Sequence, residues 1–104
     1  MNLKIKNLSY IIKISEHGDV LGAYFGARTD LCGVDVIRPV CNSFSPYPYE
    51  DDSSYTPGIM PSEYPVSNGC DYRTPALDIT LPDGSKTLFL KYKEHKILNG
   101  KPKI

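Results

Sequence analysis

A chain of 104 residues and 11.6 kDa has room for one domain or a part of one, which excludes a protein with two catalytic domains. With 40% hydrophobic and 11% aromatic residues it carries enough apolar surface for a core, which argues against wholesale disorder. Twelve basic groups balance twelve acidic ones, so the broad positive field of a nucleic-acid or anionic-membrane binder is missing.

The opening Met1-Asn2-Leu3-Lys4-Ile5-Lys6-Asn7 alternates polar with apolar and holds no apolar run of about 7 to 15 residues, so it does not read as a signal peptide. No later stretch approaches the ~20 apolar residues of a membrane-crossing helix, and a cytoplasmic protein without a membrane partner is expected. Tyr10, Ile12 and Ile14 share one face of a predicted strand. Glu16-His17-Gly18-Asp19 supplies a turn, and Val20 to Phe25 returns as a second strand in which Leu21 and Ala23 alternate with their neighbours.

The net charge of zero conceals an uneven distribution. Residues 39–72 hold five acidic groups and no basic one, whereas residues 73–104 hold seven basic and three acidic. The acidic middle contains Ser43-Phe44-Ser45-Pro46-Tyr47-Pro48-Tyr49-Glu50-Asp51-Asp52-Ser53-Ser54-Tyr55-Thr56-Pro57-Gly58, whose prolines remove backbone donors and disfavour helix at the residue before each. It predicts a long tyrosine-rich loop, ordered by its aromatics, and loops above about 12–15 residues are uncommon in compact domains unless functional or disordered. The rings of Tyr47, Tyr49, Tyr55 and Tyr64 could stack on a sugar or a peptide, or could pack the loop onto the sheet.

Beyond the loop, Leu77, Ile79 and Leu81 alternate with polar residues, Pro82-Asp83-Gly84-Ser85 makes a turn, and Leu88, Leu90 and Tyr92 form another apolar row. This predicts a second hairpin, with Lys91, Lys93 and Lys96 on a wetted face. No long window keeps helical periodicity, so the class is all-β, an antiparallel β-sandwich.

The residues offer little chemistry of their own. Cys32, Cys41 and Cys70 lack metal-ligand spacing and read as free, partly buried thiols. His17 falls in a predicted turn and is expected to face solvent, while His95 ties down a strand end. The Glu50-Asp51-Asp52 run lacks the spaced ligands of a calcium loop and is expected to be solvated. With no metal-ligand spacing and no glycine-rich phosphate cradle, neither a metal nor a cofactor is expected. Asp71-Tyr72-Arg73 flanks an aromatic with a charge pair suited to anchoring the long loop to the sheet.

Several short strings occur in a familiar order: Ser9-Tyr10, Tyr24-Phe25-Gly26, Ser43-Phe44-Ser45-Pro46, Ser62-Glu63-Tyr64-Pro65, Asp71-Tyr72-Arg73-Thr74-Pro75-Ala76, Asp83-Gly84-Ser85, and His95-Lys96-Ile97 with Gly100-Lys101-Pro102. Together they resemble the N-terminal β-domain of family-36 glycoside hydrolases, the large microbial alpha-galactosidases. The resemblance implies that residues 1–104 are the first part of a β-supersandwich. In the family that domain precedes a (β/α)8 barrel whose two aspartates, nucleophile and acid/base, release terminal alpha-linked galactose with retention. Such a barrel needs upwards of about 200 residues, so this chain is expected to hold no catalytic residue. Its implied partners are the barrel of the same protein, alpha-galactosides of the raffinose and melibiose type, and further copies in a homo-oligomer.

In tetrameric members the loop before the Phe-Ser-Pro string reaches toward a neighbour's sugar pocket, often through an acidic residue followed by an arginine. Cys41 and Asn42 occupy those places here, and Cys41, Asn42 and Phe44 are the substrate-rim residues that the resemblance implies. A thiol accepts poorly from sugar hydroxyls, and Cys70 before Asp71 is a second departure from the pattern. The alternative reading is a stand-alone β-sandwich module that binds carbohydrate or protein through its tyrosine loop.

Overall fold

The first predicted hairpin forms, and a short strand extends it. The computed structural model describes residues 1–31, 34–36, 46–101 and 103, with strands β1 (Asn2–Ile5), β2 (Leu8–Ile14) and β3 (Val20–Ala27) in one antiparallel sheet of order β1-β2-β3. The all-β class therefore stands, and among the described residues the helical content is a single 3-10 turn, Pro57–Ile59. No helix among them is long and apolar enough to cross a membrane.

The turn between β2 and β3 closes through Ser15 N–H to Asp19 O at 2.8 Å and Gly18 N–H to Ser15 O at 3.0 Å. Gly18 sits at φ 82, a left-handed conformation that costs glycine nothing, which explains a Gly at this turn. Along the hairpin the register slips between Ile11 and Ile12: Ile11 faces Tyr24 but Ile12 faces Gly22, leaving Ala23 as an extra residue. Such a bulge reverses the alternation of faces on one strand. Leu21 is accordingly 2% exposed while Phe25, at the same parity, is 72% exposed. On β2 the buried positions are Ser9 and Ile11, and the expected row of Tyr10, Ile12 and Ile14 is only half-buried. Ser9 tolerates burial because its hydroxyl donates to Thr29 O and accepts from Thr29 N–H at 3.0 Å.

The second predicted hairpin is realised at its turn alone. Leu81 N–H donates to Ser85 O and Gly84 N–H to Leu81 O, both at 2.8 Å. The flanking rows do not form strands with each other. Instead Leu88 N–H bonds Ser67 O and Tyr92 N–H bonds Gly18 O at 2.7 Å, while Leu77 bridges to Val66. Ile79, Leu81, Phe89 and Leu90 remain exposed, so pairing the two rows would bury little apolar surface, and an isolated two-stranded ribbon is marginal in water.

The core is small. Leu21, Tyr55 and Met60 form its buried centre, with Val36, Tyr49 and Ile59 packed around them. Loop residues thus supply the layer that covers the hairpin. With so few buried side chains, each counts heavily: Leu21→Ala should cost about 2–5 kcal/mol in urea-unfolding free energy, whereas Phe25→Ala should change it by less than about 1 kcal/mol.

Candidate functional site

The side chains that converge most closely lie where the turn after β2 meets the loop of residues 46–60. Tyr55, fully buried, passes under the turn; its hydroxyl donates to the Asp19 carboxylate and lies 3.4 Å from Ser15 Oγ. Burial first, then the Asp19 carboxylate, push the Tyr55 phenol pKa up, so it stays a protonated donor. The Asp19 carboxylate also accepts from Lys91 Nζ at 2.9 Å, and Lys91 bonds the Tyr49 hydroxyl and lies 5.0 Å from the Tyr49 ring centre. Burial pulls the Lys91 pKa down, but the Tyr49 and Asp19 contacts outweigh it and the net shift is upward. Lys91 is therefore tied to the loop rather than lying on a purely wetted face.

His17 also departs from expectation. Its ring is stacked on Tyr49 at 3.8 Å between centroids and 8° between planes, meets the edge of Tyr55, and its Nε2 lies 3.0 Å from Asp52 Oδ2. Glu50 and Asp51 face solvent, but Asp52 turns inward and accepts from Ser54 Oγ at 2.7 Å. A turn histidine becomes half-buried because an aromatic loop folds over it. His95 lies exposed near the chain end, 2.8 Å from the Tyr92 hydroxyl.

A second cluster anchors the 3-10 turn. Arg73 donates from Nε to Asp71 Oδ1 at 3.0 Å and from Nη2 to Asp71 Oδ2 at 2.8 Å, and its remaining donors reach Met60 O at 2.7 Å and Pro57 O at 2.9 Å. This fork binds one carboxylate and two carbonyls, a geometry that lysine cannot reproduce. The Arg73 hydrogen bonds hold the Asp71 carboxyl below the usual carboxylate range although burial opposes them. Gly58 belongs to the same contact: a Cβ there would lie 3.1 Å from Cys70 O. The triplet anchors loop to loop, not loop to sheet.

On the outer face, the Tyr10 hydroxyl donates to Glu63, and Tyr10 meets Phe25 edge-on at 5.8 Å. That hydrogen bond, with burial, pushes the Tyr10 phenol up to about 12. Of the four loop tyrosines singled out for stacking, Tyr55 and Tyr49 pack inward while Tyr47 and Tyr64 are exposed. Cys70 is a free, half-buried thiol. The rim residues Cys41, Asn42 and Phe44, like Cys32, lie outside the described residues.

These two anchors sit inside a stretch with a recognisable pattern. Residues 18–104 match the model of the glycosyl hydrolase family 36 N-terminal domain. The chain belongs to that family. It is 31% identical over 104 residues to alpha-galactosidase AgaA of Geobacillus stearothermophilus and 33% identical over 105 residues to alpha-galactosidase Mel36A of Lactobacillus acidophilus, covering 99% of this chain in each case. It also resembles solved structures: the AgaA enzyme of G. stearothermophilus in complex with stachyose superposes with a TM-score of 0.88 at 28% identity, covering 100% of this chain and 15% of that one. The chain spans only 14% of the length of the two curated relatives.

In this family-36 domain, Arg73→Ala should lower unfolding free energy by about 2 kcal/mol, since it strands a buried carboxylate and two carbonyls. Asp71, with its folded pKa lowered, contributes stability that is complete above its unfolded value of about 3.9 and is lost as pH falls through the folded one. Asp71→Asn should therefore flatten the fall in melting temperature below about pH 4, as read by circular dichroism.

Proposed function

We propose that this chain is the N-terminal structural and assembly part of a retaining alpha-galactosidase, itself non-catalytic, in a cytoplasmic homo-oligomer. The observation that carries the proposal is the family match over residues 18–104 together with relatives of which the chain spans 14%. The parent enzyme's substrates would be terminal alpha-linked galactosides, because structures similar to this chain are of alpha-galactosidases in complex with raffinose and with stachyose.

The local chemistry agrees with a scaffold role. A cavity of about 220 Å³ is bordered by Leu21, Tyr55, Met60 and Tyr92 and by two carboxylates, Asp19 and Asp71. Asp19 is held by Lys91 and Tyr55, and Asp71 by Arg73. Acids committed in this way are poor candidates for the nucleophile and proton donor of a glycosidase. Large apolar side chains at the surface, including Leu31, Tyr72, Ile97 and Leu98, suit burial against further protein. That surface favours the enzyme part over the free-standing binding module. The rim assigned to Cys41, Asn42 and Phe44 would shape a neighbouring sugar pocket, a role supported by the family resemblance.

The whole protein should hydrolyse raffinose and an aryl alpha-galactoside, while the 104-residue chain alone should give no turnover above background. Turnover by the pure short chain would overturn the scaffold assignment, and a whole protein inactive on every alpha-galactoside would overturn the substrate class.

A further inference from the structure

The antiparallel register sorts the side chains of β1, β2 and β3 by face. Leu3 pairs with Tyr10, Ile5 with Leu8 and Tyr10 with Phe25, and directly opposed residues share a face. Leu3, Ile5, Leu8, Tyr10, Ile12 and Phe25 therefore lie together, and no strand residue on this face is charged. The other face carries Asn2, Lys4, Ser9 and Lys13 beside Ile11 and Leu21. That polar face is the covered one. Asn2 Nδ2 donates to Thr29 O at 3.0 Å, Lys4 pairs with Asp30, Ser9 bonds Thr29 and Lys13 pairs with Asp35, while Leu21 enters the core with Tyr55 and Met60. The apolar face stays open: Ile5 is 65% exposed, Leu8 44% and Phe25 72%.

An antiparallel sheet with one wetted side normally turns its polar residues to the water, and here the sense is inverted. We propose that the face of Leu3, Ile5, Leu8, Tyr10, Ile12 and Phe25 is a docking surface for an apolar layer contributed by the rest of the same polypeptide, beyond these 104 residues. The three-stranded sheet is then the middle of three layers. This rests on the reading of the chain as part of a longer enzyme and names the surface through which the two parts join. The chain spans 14% of its curated relatives, so in a protein of that length most of the polypeptide is available to supply the layer. The face is also small for a contact between copies. Three strands about 4.8 Å apart, with seven residues rising about 3.4 Å each, give at most roughly 340 Å2, against about 800 Å2 per partner in a standard interface. A layer on the same polypeptide has no such minimum, because the covalent link removes much of the entropy cost of association. Finally, the one polar side-chain group on the face is already matched. The Tyr10 hydroxyl donates to Glu63, whose carboxylate lies against Gly22 where a Cβ would leave it no room. The face therefore offers hydrocarbon rather than hydrogen-bonding groups, which suits apolar side chains and not a sugar.

The test uses the whole protein that carries this chain, with the photoreactive change Phe25→p-benzoylphenylalanine, which keeps an aromatic ring at the position. Irradiation should give a cross-linked product of single-chain mass whose linked peptide lies beyond residue 104. A cross-link between two copies, one confined to residues 1–104, or none at all would each overturn the proposal. Leu8→p-benzoylphenylalanine, on the neighbouring strand, repeats the test if the change at position 25 prevents folding. In parallel, Phe25→Ala costs the 104-residue chain little, because its ring meets solvent there, but should lower the melting temperature of the whole protein by more than about 2 °C at unchanged subunit number. An unchanged melting temperature, or a fall in subunit number, would overturn the proposal as well. None of these readouts depends on turnover. A whole protein that forms the intrachain cross-link but cleaves no alpha-galactoside sinks the functional reading alone, and an active enzyme without that cross-link sinks the docking surface alone.

Discussion

Residues 46–60 contain three prolines and no strand, so the backbone of this loop cannot support itself by a hydrogen-bonded ladder, and its order depends on side chains that reach elsewhere. The insertion of Tyr55 beneath the β2–β3 turn is the constraint on which the rest hangs. The ring supplies much of the small core, and its hydroxyl ends on Asp19, the same carboxylate that Lys91 engages. One buried side chain therefore connects the hairpin, the loop and the C-terminal stretch. The Arg73 fork repeats the logic at the other end of the loop, where it holds the carbonyls of Pro57 and Met60. Buried polar groups are tolerated in both places because each has a partner.

This construction stabilises one region and leaves another thinly supported. The hairpin, the 3-10 turn and the Asp71–Arg73 pair share a core, whereas residues 77–101 touch it through a few contacts such as Tyr92 N–H to Gly18 O. Ile79, Leu81, Phe89, Leu90, Ile97 and Leu98 face outward, while Leu77, Leu88 and Tyr92 are half-buried. An arrangement of apolar rows without a covering layer is what a segment of a larger β-structure presents when it is considered by itself, and it accords with a chain that spans 14% of its relatives. On the proposed function, this domain positions surface and bond-breaking is left to other polypeptide.

Much of this could be read from the residues. The β2–β3 hairpin follows from alternation around Glu16-His17-Gly18-Asp19, and the charge pair in Asp71-Tyr72-Arg73 reads as an anchor, although it holds the 3-10 turn and not the sheet. The bulge at Ala23 could not be seen, because it depends on which residue of the partner strand is skipped, and it moved Phe25 away from the buried side. β1 was hidden by its brevity, four residues with Asn2 and Lys4 as the polar positions. The second hairpin was overread: its turn chemistry is right, but local alternation cannot report whether anything covers the apolar row. His17 and Asp52 are 35 residues apart in sequence, so their meeting leaves no spacing signal.

The central claim, that this polypeptide is scaffolding completed by more chain, is tested most directly by amide hydrogen exchange on the 104-residue chain and on the whole protein in parallel. The account predicts protection in the short chain around β2, β3, Tyr55 and Arg73, near-unprotected exchange over residues 77–101, and strong protection of that same stretch in the whole protein. Equal, strong protection of residues 77–101 in both would contradict it.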